Sequence, residues 1–456
     1  MKAKTVDMLN GNLLKKIIVF AIPLMLSGML QLLFNACDLM VVGKFAGSAS
    51  LAAVGSTGSL TALIVNLFMG ISVGANVVVA IAIGRKDKEK SQHAVHTAIL
   101  FSVIIGAVLS VIGIFSARFL LEKLDTNAEV LDKATLYMQI YFGGMIFNML
   151  YNYGASILRA VGETKKPLKY LTIAGVCNVI LNLIFVIVFN MDVAGVALAT
   201  IISQGISAIL VVRYLTKSEE YIHLNLKELR IHKDSLGEML FVGLPAGINS
   251  SLFSISNVFI QKAVNSFNST AVVAGNAAAA NVGSFVFTAM TSFQHACTSF
   301  TSQNYGANKI ENCKKSLWSS LLCVVTTGVS LGLIVIIFGK PLLNLYTDNS
   351  GAIEYGVIRL GIIGATYFLC GVNDVFVGNL RGLGYSLTPT IVSITGICVF
   401  RLVWIFTVFE ANHTLEILYY SYPISWLITA LVNGICLIVV YNKKKRNISI
   451  NEEKSL

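Results

Sequence analysis

Long apolar runs recur along the whole chain, each ended by a short cluster of charged, glycine or proline residues. Twelve fall near residues 15–42, 51–83, 93–116, 133–158, 167–189, 193–214, 237–262, 271–303, 314–338, 355–380, 389–410 and 415–441. About twenty mostly apolar residues cross a bilayer as a helix, so each run is read as one membrane span. The pattern predicts an all-α polytopic membrane protein of twelve transmembrane helices. Connections are short except for the mixed-charge stretch 215–236. That stretch is read as a linker between an N-terminal lobe, 1–214, and a C-terminal lobe, 237–441, with a tail at 442–456.

The two lobes repeat. A shift of 222 residues lays Pro23 on Pro245, Asn35 on Asn257 and Gly84 on Gly306. The same shift lays Arg159, Gly162 and Pro167 on Arg381, Gly384 and Pro389, so RAVGETKKP lies over RGLGYSLTP. Six spans per half return the chain to the same side, so the second half enters the membrane as the first did. Two six-helix bundles related by a pseudo-twofold along the membrane normal are expected. Parallel repeats of this kind are a transporter architecture, with the substrate site between the halves.

Composition agrees and narrows the classes. Of 456 residues, 55% are hydrophobic and 12% charged, and the mean hydropathy is +0.74. Soluble domains carry about 25% charged residues, and no polar stretch is long enough to be a soluble catalytic domain. The net charge of +11 raises nucleic acid as a partner, but membrane topology accounts for it. With the N-terminus inside, the inner segments hold 26 Lys plus Arg and the outer loops 6, with Arg359 and Arg401 inside spans. That bias puts both termini in the cytoplasm. The KKKR run at 443–446 then faces anionic lipid. The eight cysteines are scattered singly without a CxxC, so neither a disulfide nor a metal site is expected. No removable signal peptide is evident. No GxxxxGK[ST] occurs, so the driving force is an ion gradient or the substrate's own gradient.

Polar exceptions inside the apolar runs carry the candidate chemistry. The first span holds Pro23 and Asp38. Proline bends a helix by removing an amide donor, so Pro23 is the expected hinge. An ionisable group at membrane depth costs roughly 2.5–3.5 kcal/mol and normally faces a cavity or a partner. Asp38 lies fifteen residues after Pro23, and Asn182 fifteen after Pro167 in another span of the same direction. Asn178 lies one turn below Asn182, and Thr200 falls at a similar depth, estimated at about 1.5 Å per residue. These four form the expected ion-coupling group. Burial and amide donors act in opposite senses on a carboxyl's proton, which suits Asp38 to loading and releasing H⁺. Candidate substrate contacts are Gln31, Asn35, Gln294, Asp374 and Arg401. Asp374 is expected either to pair with Arg401 or to meet a cationic substrate.

IPLMLSGMLQLLFNACDLMVVGKFAGSASLAAVG at 22–55, YGANK at 305–309 and the RAVGETKKP repeat resemble the multidrug and toxic compound extrusion (MATE) family of bacterial efflux transporters. The likeness covers essentially the whole chain. It implies an outward-facing V-shaped fold and export of organic cations in exchange for H⁺ or Na⁺. The family's N-lobe ion site has an Asp on helix 1, an Asn and an Asp on helix 5 and a Thr on helix 6. Asp38, Asn178, Asn182 and Thr200 stand at those positions, with Asn182 replacing the second acid. One charge fewer favours a single proton over Na⁺. A helix 7 acid of some relatives is Phe253 here, while Asp374 matches a helix 10 Asp of the Na⁺-coupled branch. The leading expectation is a cation/H⁺ antiporter in the cell membrane, monomeric, without a cofactor and not an enzyme. The rival is a flippase of lipid-linked sugars or cell-wall precursors, which would need several basic residues in its cavity. A membrane enzyme or transport-dead receptor is the remaining class.

Overall fold

The structure is a computed structural model describing residues 5–124, 126–218 and 221–455. Residues 1–4, 125, 219–220 and 456, in the expected first lobe, linker and tail, lie outside it. Among the described residues every regular element is helical. Among these described residues ten helices are individually long and apolar enough to cross a membrane, or eleven spans with one bent pair taken as one. Large apolar side chains such as Phe115 and Trp318 lie on their exteriors, 83% and 70% exposed. That surface suits lipid and not water, and the protein is a multi-pass membrane protein.

The chain forms two compact units: 1–251 with 302–310, and 252–301 with 311–456. The first begins with α1 (Leu13–Val41), capped by the Asn12 side chain, which accepts from the Lys15 amide. Pro23 is buried inside α1 and the helix runs on through it. The Ser27 hydroxyl donates to the Pro23 carbonyl at 2.7 Å. Then come α2 (Ser48–Gly84), α3 (Lys88–Lys123), α4 (Ala128–Gly143), α5 (Met145–Ala160), α6 (Lys165–Leu183) and α7 (Asp192–Thr216). The start of α8 (Lys233–Asn265) joins this unit through two GxxxG stretches, 70–74 on α2 and 243–247 on α8. A Cβ on Gly70 would stand 2.2 Å from the Gly247 Cα, and one on Gly74 2.1 Å from the Met239 carbonyl. Small residues let the two backbones approach this closely.

The second unit takes the rest of α8, most of α9 (Thr270–Gly306), then α10 (Ile310–Ile337), α11 (Gly339–Asn344), α12 (Ser350–Gly364) and α13 (Tyr367–Gly382). It ends with α14 (Leu387–Ser393), α15 (Phe400–Trp404) and α16 (Leu415–Ser455), with wider π-helical turns flanking α15.

The repeat extends to the helix breaks. α12 and α13 are bent by 46°. Subtracting 222 from their ranges gives 128–142 and 145–160, against the observed Ala128–Gly143 and Met145–Ala160. The interrupted pair α4–α5 is thus the counterpart of the bent pair α12–α13. Each pair closes on a left-handed glycine, Gly162 at φ +88° and Gly384 at φ +89°, a conformation that favours glycine.

Candidate functional site

The first unit's polar cluster is built by three helices. On α6, Gly175, Asn178 and Asn182 are spaced by three and four, so they share one face. On α1, Phe34 and Asp38 are likewise one turn apart. A Cβ on Gly175 would lie 1.8 Å from Phe34 Cε2, so the glycine provides the seat for that ring. With Phe34 seated there, Asp38 meets Asn182 one turn farther along. The Asn182 amide donates to Asp38 Oδ1 at 2.5 Å and also reaches Asn178 Oδ1 at 3.3 Å. The Asn178 amide donates to Thr200 Oγ1 of α7 at 3.5 Å, and that hydroxyl donates to the Val196 carbonyl at 2.9 Å. Asn178 and Asn182 are buried, while Asp38 and Thr200 are half-buried.

The structure therefore brings Asp38, Asn178, Asn182 and Thr200 into one hydrogen-bonded group. Asn182 Oδ1 is buried there without a partner. Its acceptor capacity is the feature the group leaves unused, and leaving such an atom unmatched costs about 1–3 kcal/mol. Carboxylate, amide and hydroxyl oxygens are hard donors of the kind that take a proton or a hard cation, and one formal charge matches one monovalent ion. Sequence reasoning missed two tyrosines near this site. Tyr137 of α4 lies within electrostatic range of Asp38, and Tyr141, one turn on, hydrogen-bonds Gln204 of α7. Their spacing of four, matched by Thr200 and Gln204 on α7, was the available signal.

The remaining predicted residues are distributed otherwise. Gln31 and Asn35 are exposed on α1. Gln294 of α9 is half-buried; its carbonyl accepts from Thr298 Oγ1 at 2.9 Å and backs onto Gly378. Among the described residues no ion pair joins Asp374 to Arg401. Arg401 is 2% exposed, stands 4.0 Å above the Tyr422 ring and donates through Nε to Ser425 Oγ at 3.1 Å. Aromatic stacking, rather than an Asp374 carboxylate, holds the guanidinium, so of the two alternatives the ion pair is the one not formed. Asp374 Oδ2 has no hydrogen-bond partner.

In the second unit a cavity of about 320 Å³ opens among α8, α9, α12, α13, α15 and α16. Its walls carry Arg359, Arg401, Asn276, Tyr367, Tyr422 and Trp426, and no carboxylate. The two arginines inside spans were the one sign of it along the chain.

Comparison with known proteins agrees with this architecture. The chain is 26% identical to the probable multidrug resistance protein YpnP of Bacillus subtilis over 87% of this chain and 89% of that one. It is 28% identical to YoeA, another probable multidrug resistance protein of Bacillus subtilis, over 83% of both. A solved outward-facing multidrug resistance MATE family transporter of the MOP superfamily superposes with a TM-score of 0.91 at 21% identity, covering 98% of this chain and all of that one. That likeness shows the fold, the all-α transmembrane architecture anticipated above. The MatE family matches twice, over residues 23–184 and 245–407, with starts 222 residues apart as in the internal repeat. Matched in both halves, the chain belongs to the MatE family.

Proposed function

We propose that this protein exports amphipathic organic cations in exchange for protons by alternating access, with Asp38 carrying the proton. The observation behind the reading is the Asp38–Asn182 contact: a single membrane-embedded carboxyl held at 2.5 Å by an uncharged amide. A fixed cation at that place would lock the carboxylate in its charged form. An amide leaves the charge free to change with proton binding. The relatives named as multidrug resistance proteins support the substrate class, and the basic inner segments support cytoplasmic termini in the cell membrane. Opening the Asp38 group to each side in turn exchanges one proton for one monovalent cation, so no net charge crosses the membrane and the pH gradient drives transport. At about 1.4 kcal/mol per pH unit, one proton sustains roughly tenfold accumulation. The loss of the second acid at Asn182 favours H⁺ over Na⁺ and a stoichiometry of one.

The test is ethidium transport in proteoliposomes, driven separately by a pH gradient and by a Na⁺ gradient, with Asp38→Asn beside the native chain. Drive by the pH gradient alone, abolished in Asp38→Asn, is the expected result. Transport driven only by Na⁺ overturns the coupling assignment. Folded protein that moves no cation under either gradient overturns the substrate class and favours the flippase.

A further inference from the structure

The cavity of the second unit has a polarity that cation export does not explain. Arg359 and Arg401 both line it, and their guanidinium carbons stand 5.9 and 4.0 Å from the same Tyr422 ring. Buried charges are normally paired, because leaving water is costly for an ion. Among the described residues neither arginine has a carboxylate partner. Arg359 donates to the carbonyl and Oδ1 of Asn276 at 2.9 and 2.5 Å. Arg401 is 2% exposed, spends Nε on Ser425 and leaves Nη2 without a partner. Asp374, one turn past Cys370 on α13, is not among the lining residues. The aromatic face that would receive an organic cation, Tyr422, is already covered by Arg401.

The repeat gives the cavity a meaning. Adding 222 to Asp38, Tyr137, Thr200 and Gln204 gives Ile260, Arg359, Tyr422 and Trp426, and all four line the cavity. The cavity occupies in the second half the place that the Asp38 group occupies in the first. There the acid has become isoleucine and the neighbouring tyrosine has become arginine.

We propose that this cavity is a binding site for an oxyanion carried on a flat apolar body, with Arg401 and Arg359 gripping the anion and the Trp426 and Tyr367 rings, packed together at 5.9 Å, forming one wall beside the body. Two guanidinium forks suit a carboxylate or a single phosphate, which arginine binds by paired N–H donors. Tyrosine and tryptophan walls suit an aromatic or acyl portion, and the volume lies within the range of small-molecule sites. Placed within the transport reading, this makes zwitterionic or acidic amphiphiles, beside simple cations, substrates of the protein. The site's existence does not depend on that reading.

The experiment uses full-length protein in phosphatidylcholine nanodiscs and reads tryptophan fluorescence on titration with 2-naphthoate. Neutral 2-naphthylmethanol and cationic 2-naphthylmethylammonium serve as isosteres, and Trp426→Phe assigns the signal. Naphthoate is expected to bind at least tenfold more tightly than either isostere. Arg401→Gln and Arg359→Gln are each expected to remove about tenfold of that affinity and to leave naphthylmethanol binding unchanged. Should Arg401→Gln fail to fold, Arg359→Gln and the three-ligand series in the native chain decide the matter. Equal or tighter binding of the cation overturns the proposal, as does naphthoate binding indifferent to both arginines. Native mass spectrometry after exchange into phosphatidylglycerol nanodiscs separates the two sources of the anion. Arginine-dependent retention of that lipid makes the headgroup phosphate the resident ligand, and its absence beside arginine-dependent naphthoate binding leaves a soluble amphiphile. If Asp38→Asn transports normally while naphthoate binding stays arginine-dependent, the proton-carrier reading fails and this one stands.

Discussion

Residues made equivalent by the 222-residue repeat surround opposite charges in the two units. Between α1, α6 and α7 one carboxyl is held by the Asn182 amide, which is linked in turn to Asn178 and Thr200. Inside the second unit, two guanidinium groups lie against one tyrosine ring in a cavity without an acid. The frames agree down to the breaks α4–α5 and α12–α13 and the glycines that follow them. Backbone geometry thus fixes where side chains meet. Which charge stands there is free to diverge, because a few substitutions on helix faces leave the frame intact.

Asp38→Asn gives the largest expected effect, reducing an accumulation of roughly tenfold per pH unit to none, as measured by ethidium flux. A variant that still accumulates ethidium against the gradient would strip the first unit of its assigned role in the contrast. Next is Gly175→Ala. Its new methyl overlaps the Phe34 ring, so the overpacked α1–α6 seam should lose about 1–3 kcal/mol, read as a lowered Tm. Phe34→Ala in the same chain should recover part of that loss, as coupled neighbours do. If the two losses simply add, the seat does not set the Asp38 register.

Ile260→Asp sharpens the comparison directly by restoring an acid at the counterpart of Asp38. The new carboxylate competes for Arg359 and Arg401, and naphthoate affinity should fall about tenfold, near 1.4 kcal/mol. Unchanged affinity would mean that position 260 does not face the anion.

The smallest effect lies outside both sites, in the segment joining α7 to α8. That segment is tied to α3: His232 stacks on His93 at 3.7 Å, and the Asn225 amide donates to His96 Nε2 at 3.0 Å. Burial, followed by the neighbouring His93 and Arg230, holds His232 below its ordinary value of 6.5. The unfolded chain therefore takes up this proton at a higher pH than the folded one. Stability should decline slightly as pH falls through 6.5 toward the lower folded value. His232→Gln should flatten that part of the Tm profile between pH 7.5 and 5.5. A pH dependence of transport that survives the substitution belongs to Asp38 and not to the linker.

Hydropathy and spacing are local properties, and what depends on them was legible in the chain alone. The all-α membrane class, the duplicated halves and the depth shared by Asp38, Asn178, Asn182 and Thr200 all came from counting residues along helices. The interrupted fourth and tenth spans read as single runs, because Gly144 and the 365–366 break interrupt the helix without interrupting the apolar pattern. Only the tertiary structure decided which faces meet. The Phe34 seat on Gly175 sets α1 against α6, and no periodicity in either helix announces it. Arg401 was the plainest case. Its long side chain has reach enough for a carboxylate on one helix or an aromatic ring on another. Packing chose the Tyr422 ring, and so left a buried positive cavity where the sequence had left an ion pair with Asp374 and a substrate contact equally open.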